Sequence, residues 1–360
     1  MYGFSEATTS KGISDSFLKR LEHAYHFSIE NSDNSKSPVW TDITNLNLKI
    51  HEALLRGDGS SRIFLDNPSE NDLFYGVDNL SSKLISNIRS NPESEIASLR
   101  ATILKLSEAT GFIVLRNPEG EGAREMQGVE EIDLHFIHDL LSYLNSEYGI
   151  PTDLPNPFQG EFGIETDFGI LSYRMLQAFY QAVIVSKLAS AFSYRSVLEI
   201  GPGMGRTTGL LFRMGFKVKT IDLPIGVVGA ALYLHHVLGE EAICLPGESK
   251  SDQSIDLHSS YKDDSKTFKN TDLVLNIDSI TEMDIVSAQS YVDNIVKYAK
   301  SFLSINHEVN LFSVFELTKQ TVNLKNVSRT PYWIRPGYIQ EFYQVNRKKF
   351  PTIKHGLFRG

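Results

Sequence analysis

The sequence contains almost no cysteine and no long hydrophobic run. Cys244 is the single cysteine among 360 residues, so the chain can form neither an internal disulfide nor a cysteine-based zinc site. No run approaches the roughly 18 apolar residues of a membrane span, and the N-terminal stretch "MYGFSEATTSKGISD" lacks a basic segment followed by an apolar one. We therefore expect no membrane span, no secretory signal and a cytoplasmic protein in which Cys244 is a small buried hydrophobe.

The sequence also lacks an excess of positive charge. The 35 basic residues are outnumbered by 44 acidic ones, which gives a formal net charge of −9. This balance argues against a chain-wide surface for nucleic acid or for an anionic membrane. Hydrophobic residues make up 41% of the chain and charged residues 22%, as in ordinary globular proteins. The length leaves room for two domains with a sizeable core.

Two halves of the chain differ in their hydrophobic pattern. Up to residue 192 most segments, such as 92–110 and 130–149, have apolar residues at three- and four-residue steps and predict helices; one short strand is predicted over 111–117. Five short apolar runs follow, separated mostly by helical patterns: "SVLEI", "KVKTID", "AICLP", "DLVLNID" and "SFLSIN". This alternation predicts a parallel sheet with buried strands. We predict a mostly helical N-terminal domain over 1–192 and an α/β domain over 193–360.

The stretch "VLEIGPGMGRTTGLLF" at 197–212 predicts a glycine turn between a strand and a helix. Gly201, Gly203 and Gly205 have no Cβ, so the backbone could pass close to a ligand there. Asp222 ends the next predicted strand, 17 residues after Gly205, and a carboxylate at that place can accept both hydroxyls of a ribose. The turn therefore predicts a nucleoside site, although a tight strand–helix junction without a ligand would have the same glycines.

The same stretch argues against two common phosphate sites. A dinucleotide site wants G-x-G-x-x-G, and here Arg206 stands at the sixth position; G-x-x-x-x-G-K-[ST] is absent as well. Glu199, two residues before the first glycine, adds a negative charge beside the turn. That charge suits a cationic ligand better than a polyphosphate.

The segments "LEIGPGMG" and "TIDLP" together resemble the first two motifs of class I S-adenosylmethionine-dependent methyltransferases. The resemblance covers about residues 195–310 and implies a Rossmann-like, seven-stranded methyltransferase sheet. It also implies S-adenosylmethionine as cofactor and S-adenosylhomocysteine as product. The residues that the resemblance assigns to the cofactor are Glu199, Gly201, Gly203, Gly205, Asp222, Leu223 and Asn276.

A second resemblance is narrower and concerns the acceptor. The segments "LVLNIDSITEMD", "SINHE" and "TPYWIRPGY", with "SPVWTDI" and "NDLFYGVDNL" in the first half, are similar to a bacterial family assigned to sugar O-methylation. This implies a small-molecule or glycan partner whose sugar hydroxyl is methylated, and a homo-oligomer is compatible with it. Two alternatives stay open: another acceptor (a polyketide- or peptide-derived hydroxyl or a phosphonate), or a methyltransferase-like partner protein without activity.

Polar residues at the ends of the later strands are candidates for the chemistry. An alcohol is a poor nucleophile, so a base that takes its proton helps the transfer. Asp278 ends the fourth predicted strand, and His307 and Glu308 follow the fifth. We predict that Asp278 or His307 is this base, while a helix cap or a structural hydrogen bond is the alternative role for Asp278. With Glu282, these residues also offer hard metal ligands. No spacing demands a metal, so a divalent ion is compatible with the sequence but not expected.

Other polar and aromatic residues are weaker candidates. The residues that could contact the acceptor are Tyr173, Arg174, Glu282, Trp333, Arg335 and Tyr338. Core packing of the tyrosines and an arginine that extends to the surface explain most of them equally well. His135 and His138 lie three apart on one predicted helix, where a metal could bind. Ordinary polar helix positions are the alternative for this pair.

Overall fold

The first half of the chain combines helices with a small antiparallel sheet. The computed structural model describes residues 3–32, 45–78, 80–113, 132–249, 253–260 and 264–346. In this part, the helices of the first half are α1 Asp15–Asn31, α2 Leu48–Arg56, α3 Arg62–Leu65, α4 Ser82–Ser90, α5 Pro92–Thr110, α6 Leu134–Tyr148 and α7 Tyr173–Phe192. The small sheet has the strand order β1 Phe4–Glu6, β2 Phe162–Thr166 and β3 Gly169–Ser172. The strand predicted over 111–117 and the segment "SPVWTDI" fall wholly or largely outside the described residues.

Local capping explains where several of these helices begin. Ser14, Asp133 and Ser172 each accept a backbone N–H from the first turn of α1, α6 and α7, respectively. These side chains satisfy amides that have no partner inside the helix. Pro92 begins α5, as the sequence predicts, because its fixed backbone angle suits the first helical position and no N–H is needed there.

The second half is built on one large, mostly parallel sheet. Its strands are β4 Ser196–Ile200, β5 Lys217–Asp222, β6 Ile243–Cys244, β7 Ile255–Ser259, β8 Thr271–Ile277, β9 Ala299–His307, β10 Leu324–Pro331 and β11 Tyr338–Val345. The strand order is β10-β11-β9-β8-β4-β5-β7-β6. β11 runs antiparallel to both β9 and β10, and the other pairings are parallel. The parallel sheet is therefore confirmed, with helices α8 Arg206–Arg213, α9 Pro224–Leu238, α10 Ser265–Phe268, α11 Ile285–Tyr298 and α12 Val314–Thr318 along it.

The prediction of seven strands is wrong, because the sheet has eight in the described residues. The run "AICLP" provides only the two-residue edge strand β6, and the strand that pairs with β5 is β7. Along β7, buried Ile255, Leu257 and Ser259 alternate with half-exposed Asp256 and His258. This strand therefore lacks the continuous apolar run by which the other parallel strands are recognised.

The two halves share a hydrophobic core. Helix α7 packs against α8, and α1 packs against α9. One cluster of buried side chains includes Phe17 and Phe179 from the first half together with Val197 and Leu232 from the second. The division at residue 192 stays a prediction, since the core continues across it. In the described residues, no helix is both long enough and apolar enough to cross a membrane.

Candidate active site

A cleft opens at the carboxyl end of β4, where the order of the sheet reverses. β4 pairs with β5 on one side and with β8 on the other, and open parallel sheets bind ligands at such a reversal. The floor of the cleft includes Gly201 and Gly203 of the glycine turn. Val77 and Asp78, from the loop before α4, lie over the turn and line the same cleft. Both halves of the chain thus form this site.

Two of the glycines are required by space as well as by backbone angle. Gly201 has a φ of +68°, and a Cβ at this position would lie 2.3 Å from Ser279 Oγ. Gly203 has a φ of +58°, and its Cβ would lie 3.1 Å from the carbonyl oxygen of Val77. Side chains rarely adopt such angles. The turn therefore keeps its backbone bare towards the cleft.

The glycine turn is held by side chains of β8, of β9 and of the segment that follows β8. Asn276 Nδ2 and Ser279 Oγ each donate to the carbonyl oxygen of Ile200, both at 3.1 Å. Asn306 Nδ2 in turn donates to Asn276 Oδ1 at 2.8 Å. Asn276 is fully buried, so its side chain supports the turn from within the sheet and does not line the cleft.

Two carboxyl groups flank the turn, one at the end of each neighbouring strand. Glu199 is buried and accepts a hydrogen bond of 2.5 Å from Thr208 Oγ1. Burial raises the pKa of Glu199 to about 7, a rise that the Thr208 hydroxyl opposes and the nearby Asp222 charge increases. Burial likewise raises the pKa of Asp222 to about 7, against the bond that the Leu223 backbone N–H donates at 2.7 Å. Both acids line the cleft, and Leu223 acts through its backbone.

Arg206 is an unexpected part of the site. Its guanidinium is 5% exposed and forms ion pairs with Asp78 and, at 2.9 Å, with Glu161; those two side chains are 6% and 3% exposed. It also lies 5.6 Å from the centre of the Tyr233 ring. In the sequence, Arg206 is notable only because it stands where a dinucleotide-binding motif has its third glycine. The structure shows a buried cation that joins the first turn of α8 to two segments of the first half.

Asp278, His307, Arg335 and Tyr338 meet beside the cleft, as the sequence-based candidates require. Asp278 follows β8 with a φ of +56°, and its Oδ2 accepts from Tyr338 Oη at 2.5 Å and from Arg335 Nη1 at 3.2 Å. His307 Nε2 lies 3.3 Å from Asp278 Oδ1, and His307 Nδ1 accepts from the Val309 backbone N–H at 3.4 Å. Two donors, one from β11 and one from the loop between β10 and β11, thus hold Oδ2 of Asp278, and the His307 ring lies beside Oδ1, which has no hydrogen bond in the described residues.

Glu282 lies across from this group, on the 3₁₀ turn Ile280–Glu282 after β8, and it lines the cleft. Burial raises the pKa of Glu282 to about 7, with repulsion from Asp278 and then Asp222 adding to the rise and Arg335 opposing it. Side-chain ligand atoms of Asp278, Glu282 and His307 lie within 4.8 Å of one another, a spacing that no other His, Cys, Asp or Glu group of the described residues has. The fixed charge of Arg335 on Asp278 disfavours a cation there, so we do not assign a metal centre.

Of the remaining candidates from the sequence, only Arg174 lines the cleft. Tyr173 lines only a small neighbouring cavity. Glu308 pairs with Arg329 at 2.7 Å and Trp333 is 51% exposed; neither lines the cleft. The two helix histidines have separate partners: His135 lies 3.4 Å from Asp139, and His138 lies 3.8 Å from Asp167.

Comparison with known proteins returns no matching family model and no matching curated protein. Among solved structures, magnesium protoporphyrin IX methyltransferase from Synechocystis PCC 6803 aligns with a TM-score of 0.36 and 13% identity, over 48% of this chain and 79% of that one. The N-methyltransferase NodS from Bradyrhizobium japonicum WM9 gives 0.34 and 15%, over 48% and 85%. The glycopeptide N-methyltransferase MtfA gives 0.34 and 15%, over 44% and 92%. TM-scores and sequence identities this low decide nothing about the activity of this protein.

Proposed function

We propose that the protein transfers a methyl group from S-adenosylmethionine to a hydroxyl of a small polar acceptor, a sugar of a glycan or a nucleotide-linked sugar. The observation that carries this proposal is the position of Asp222. Its carboxyl group faces the same cleft as the bare backbone of Gly201 and Gly203, which is the arrangement that binds a ribose beside a glycine turn.

The residues around the turn fit a nucleoside with a positive charge. Asp222 would accept the ribose hydroxyls, and Gly201 and Gly203 would pass along the ligand without a Cβ between them. The Arg206 guanidinium is buried against Asp78 and Glu161, so it is committed and does not serve a phosphate. Glu199 and Asp222 instead offer negative charge to a sulfonium. When bound, S-adenosylmethionine would supply an electrophilic methyl group.

The walls of the cleft support a polar acceptor. Arg174, Gln177 and Gln181 of α7 line one side, and Asp278 and Arg335 line the other. These side chains form hydrogen bonds in several directions, as recognition of a polyhydroxyl ring needs. A wide aromatic wall, which would favour a planar natural product, is not a feature of the described lining.

In this proposal, the chain accelerates transfer mainly by alignment. Holding two reacting atoms in line removes a large part of the entropic barrier. Tyr338 and Arg335 fix Asp278, and the His307 ring packs edge-on against Tyr338 with its Nε2 3.3 Å from Asp278 Oδ1. The group would orient the acceptor hydroxyl next to the methyl group.

Binding and transfer are tested separately. Calorimetry with S-adenosylmethionine, S-adenosylhomocysteine and NAD should give binding for the first two and none for NAD. A panel of sugars, nucleotide sugars and oligosaccharides, incubated with methyl-labelled cofactor, should then give a labelled product that mass spectrometry locates on an oxygen. Binding of NAD alone would overturn the proposal. Cofactor binding without transfer to any member of a broad panel would favour the non-catalytic partner instead.

A further inference from the structure

We infer that Glu282 is the group that takes the proton from the acceptor hydroxyl. The inference rests on the proposed methyl transfer and adds a catalytic residue to it. It assigns Asp278 and His307, which are the obvious candidates from the sequence, to positioning.

Asp278 and His307 are each held by hydrogen bonds from neighbouring groups. Oδ2 of Asp278 accepts hydrogen bonds from Tyr338 and Arg335, whereas Oδ1 lies 3.3 Å from His307 Nε2 and has no hydrogen bond in the described residues. His307 Nδ1 accepts a hydrogen bond from the backbone N–H of Val309, and its Nε2 faces Asp278 Oδ1 without a hydrogen bond. A base must come within about 3 Å of its proton or reach it through one water. Asp278 therefore offers a hydroxyl only Oδ1, against which the His307 ring already lies.

The backbone of Glu282 is held in place, while its carboxylate remains accessible to a ligand in the cleft. Ile280 and Thr281 of the same turn are fully buried, and the turn follows directly on the Asn276 and Ser279 contacts that support the glycine turn. Among the described residues, the Glu282 carboxylate has no hydrogen bond or ion pair, and it lines the same cleft as Asp222 and Asp278. Its carboxylate lies within 4.8 Å of side-chain atoms of Asp278 and His307.

The electrostatic surroundings of Glu282 also favour its role as a base. Partial burial and the neighbouring charges of Asp278 and Asp222 disfavour the ionised form of Glu282, which brings its pKa to about 7. A general base is most effective when its pKa lies near the working pH. Of these neighbours, Asp278 is held through Oδ2 by Tyr338 and Arg335, and Asp222 would accept the ribose hydroxyls in the proposed complex.

The step balances without any further reactant. The acceptor oxygen forms a bond to the methyl carbon as the bond from that carbon to sulfur breaks, and the electron pair of that bond returns to sulfur. The sulfonium becomes a neutral thioether, and the hydroxyl proton moves to the Glu282 carboxylate. Water then removes the proton from the protonated Glu282 and so restores the carboxylate.

A first experiment needs no acceptor. In protein labelled with carboxyl-¹³C glutamate and saturated with S-adenosylhomocysteine, two resonances, those of Glu199 and Glu282, should titrate with apparent pKa values of about 7, and only the one of Glu282 should be missing in Glu282→Gln. An ordinary value of about 4.3 for Glu282 would overturn the inference, because the carboxylate would then be a weak base.

A second experiment uses the acceptor that the panel identifies. Glu282→Gln should lower kcat by about 10²–10⁴-fold with unchanged affinity for S-adenosylhomocysteine, and the rise of kcat with pH around neutrality should disappear. Glu147→Gln, at an exposed position of α6, is the matched control and should keep wild-type turnover. Asp278→Asn should lower kcat but keep the rise with pH.

Three outcomes would contradict the inference. Near-full turnover of Glu282→Gln would do so. So would loss of the pH-dependent rise in Asp278→Asn but not in Glu282→Gln. Turnover that stops on chelation and returns with added Mg²⁺ would make the cluster a metal centre. Failure of the wild-type protein to bind S-adenosylhomocysteine would instead refute the proposed function itself, which separates the two failures.

Discussion

Arg206 Nη2 donates to Glu161 Oε1 at 2.9 Å, and this contact links the helix after the glycine turn to the residue before β2. All charged side chains of the Arg206–Asp78–Glu161 group are nearly fully buried. The group thus fixes the loop that carries Val77 above the turn. A ligand in the cleft would lie against a roof that comes from the first half of the chain.

Breaking this group should destabilise the protein strongly. Arg206→Met leaves two buried carboxylates without their cation, and the loss of one partner of a buried ion pair costs roughly 3–5 kcal/mol. Arg213→Met is the control on the same helix, since Arg213 pairs with the more exposed Asp153 and surface pairs contribute about 0–1 kcal/mol. Urea unfolding measures both free energies. Equal losses for the two variants would contradict the role given to Arg206.

Asp222→Ala should weaken the binding of S-adenosylmethionine and S-adenosylhomocysteine. Two ribose hydroxyls would lose a charged acceptor, and such hydrogen bonds contribute about 1.5–3 kcal/mol each, so an increase of Kd by about tenfold or more is expected. Asp293→Ala, an exposed position of α11, serves as the control. Calorimetry that finds the same Kd for wild type and Asp222→Ala would remove Asp222 from the site.

Cofactor binding should release protons near neutral pH. Glu199 and Asp222 have pKa values of about 7 in the folded protein, so both are partly protonated there, and a cationic ligand favours their ionised forms. Affinity for S-adenosylmethionine should therefore rise with pH through 7. Calorimetry in two buffers of different ionisation enthalpy counts the released protons. Uptake of protons, or a Kd that is independent of pH, would speak against these two acids.

The same two acids set the direction of a change in stability. Their pKa values are higher in the folded than in the unfolded chain, so the folded state binds more protons between about pH 4 and pH 7. Their contribution is fully present below the unfolded pKa and is lost as the pH rises through the folded one. The Tm of the ligand-free protein should fall over this interval less steeply in Glu199→Gln than in wild type. An identical slope would show that Glu199 titrates normally.

Gly201→Ala should abolish cofactor binding for a reason that backbone angle alone does not supply. Its Cβ would lie 2.3 Å from Ser279 Oγ, whereas Gly215, also with a positive φ, has nothing within 4 Å of its Cβ position. Gly215→Ala therefore reports the cost of the angle, roughly 1–2 kcal/mol. The difference in Tm and in Kd between the two variants measures the clash. If Gly201→Ala behaves like Gly215→Ala, the turn is less constrained than its geometry indicates.

The sequence was sufficient for those parts of the site that depend on neighbouring residues. Gly201, Gly203 and Asp222 belong to a strand–turn–helix pattern that is visible over a few dozen residues, and Asp278 and His307 could be placed because the ends of parallel strands meet at one edge of the sheet. The surroundings of Glu282 were out of reach, since its environment depends on burial and on charges from three segments.

The parts that the sequence did not predict depend on distant contacts or on mixed patterns. Arg206 is bound by Asp78 and Glu161, which are 128 and 45 residues away, and no local pattern encodes such a pairing. β7 alternates in burial and therefore lacks the continuous apolar run that identifies a buried parallel strand. Glu308 and Trp333 are predicted site residues that do not line the cleft, because adjacent positions of a strand or loop face different directions.

The shared core and the Arg206 group have a consequence for synthesis of the chain. Asp78 and Glu161 are synthesised before Arg206. Until the segment with the glycine turn leaves the ribosome, the two carboxylates have no guanidinium with which to form their ion pairs. A fragment that begins at residue 193 would contain Arg206 without the two acids that pair with it. It would also lack α1 and α7, whose side chains cover α9 and α8. The cofactor cleft is therefore completed late, and only when both halves have been made.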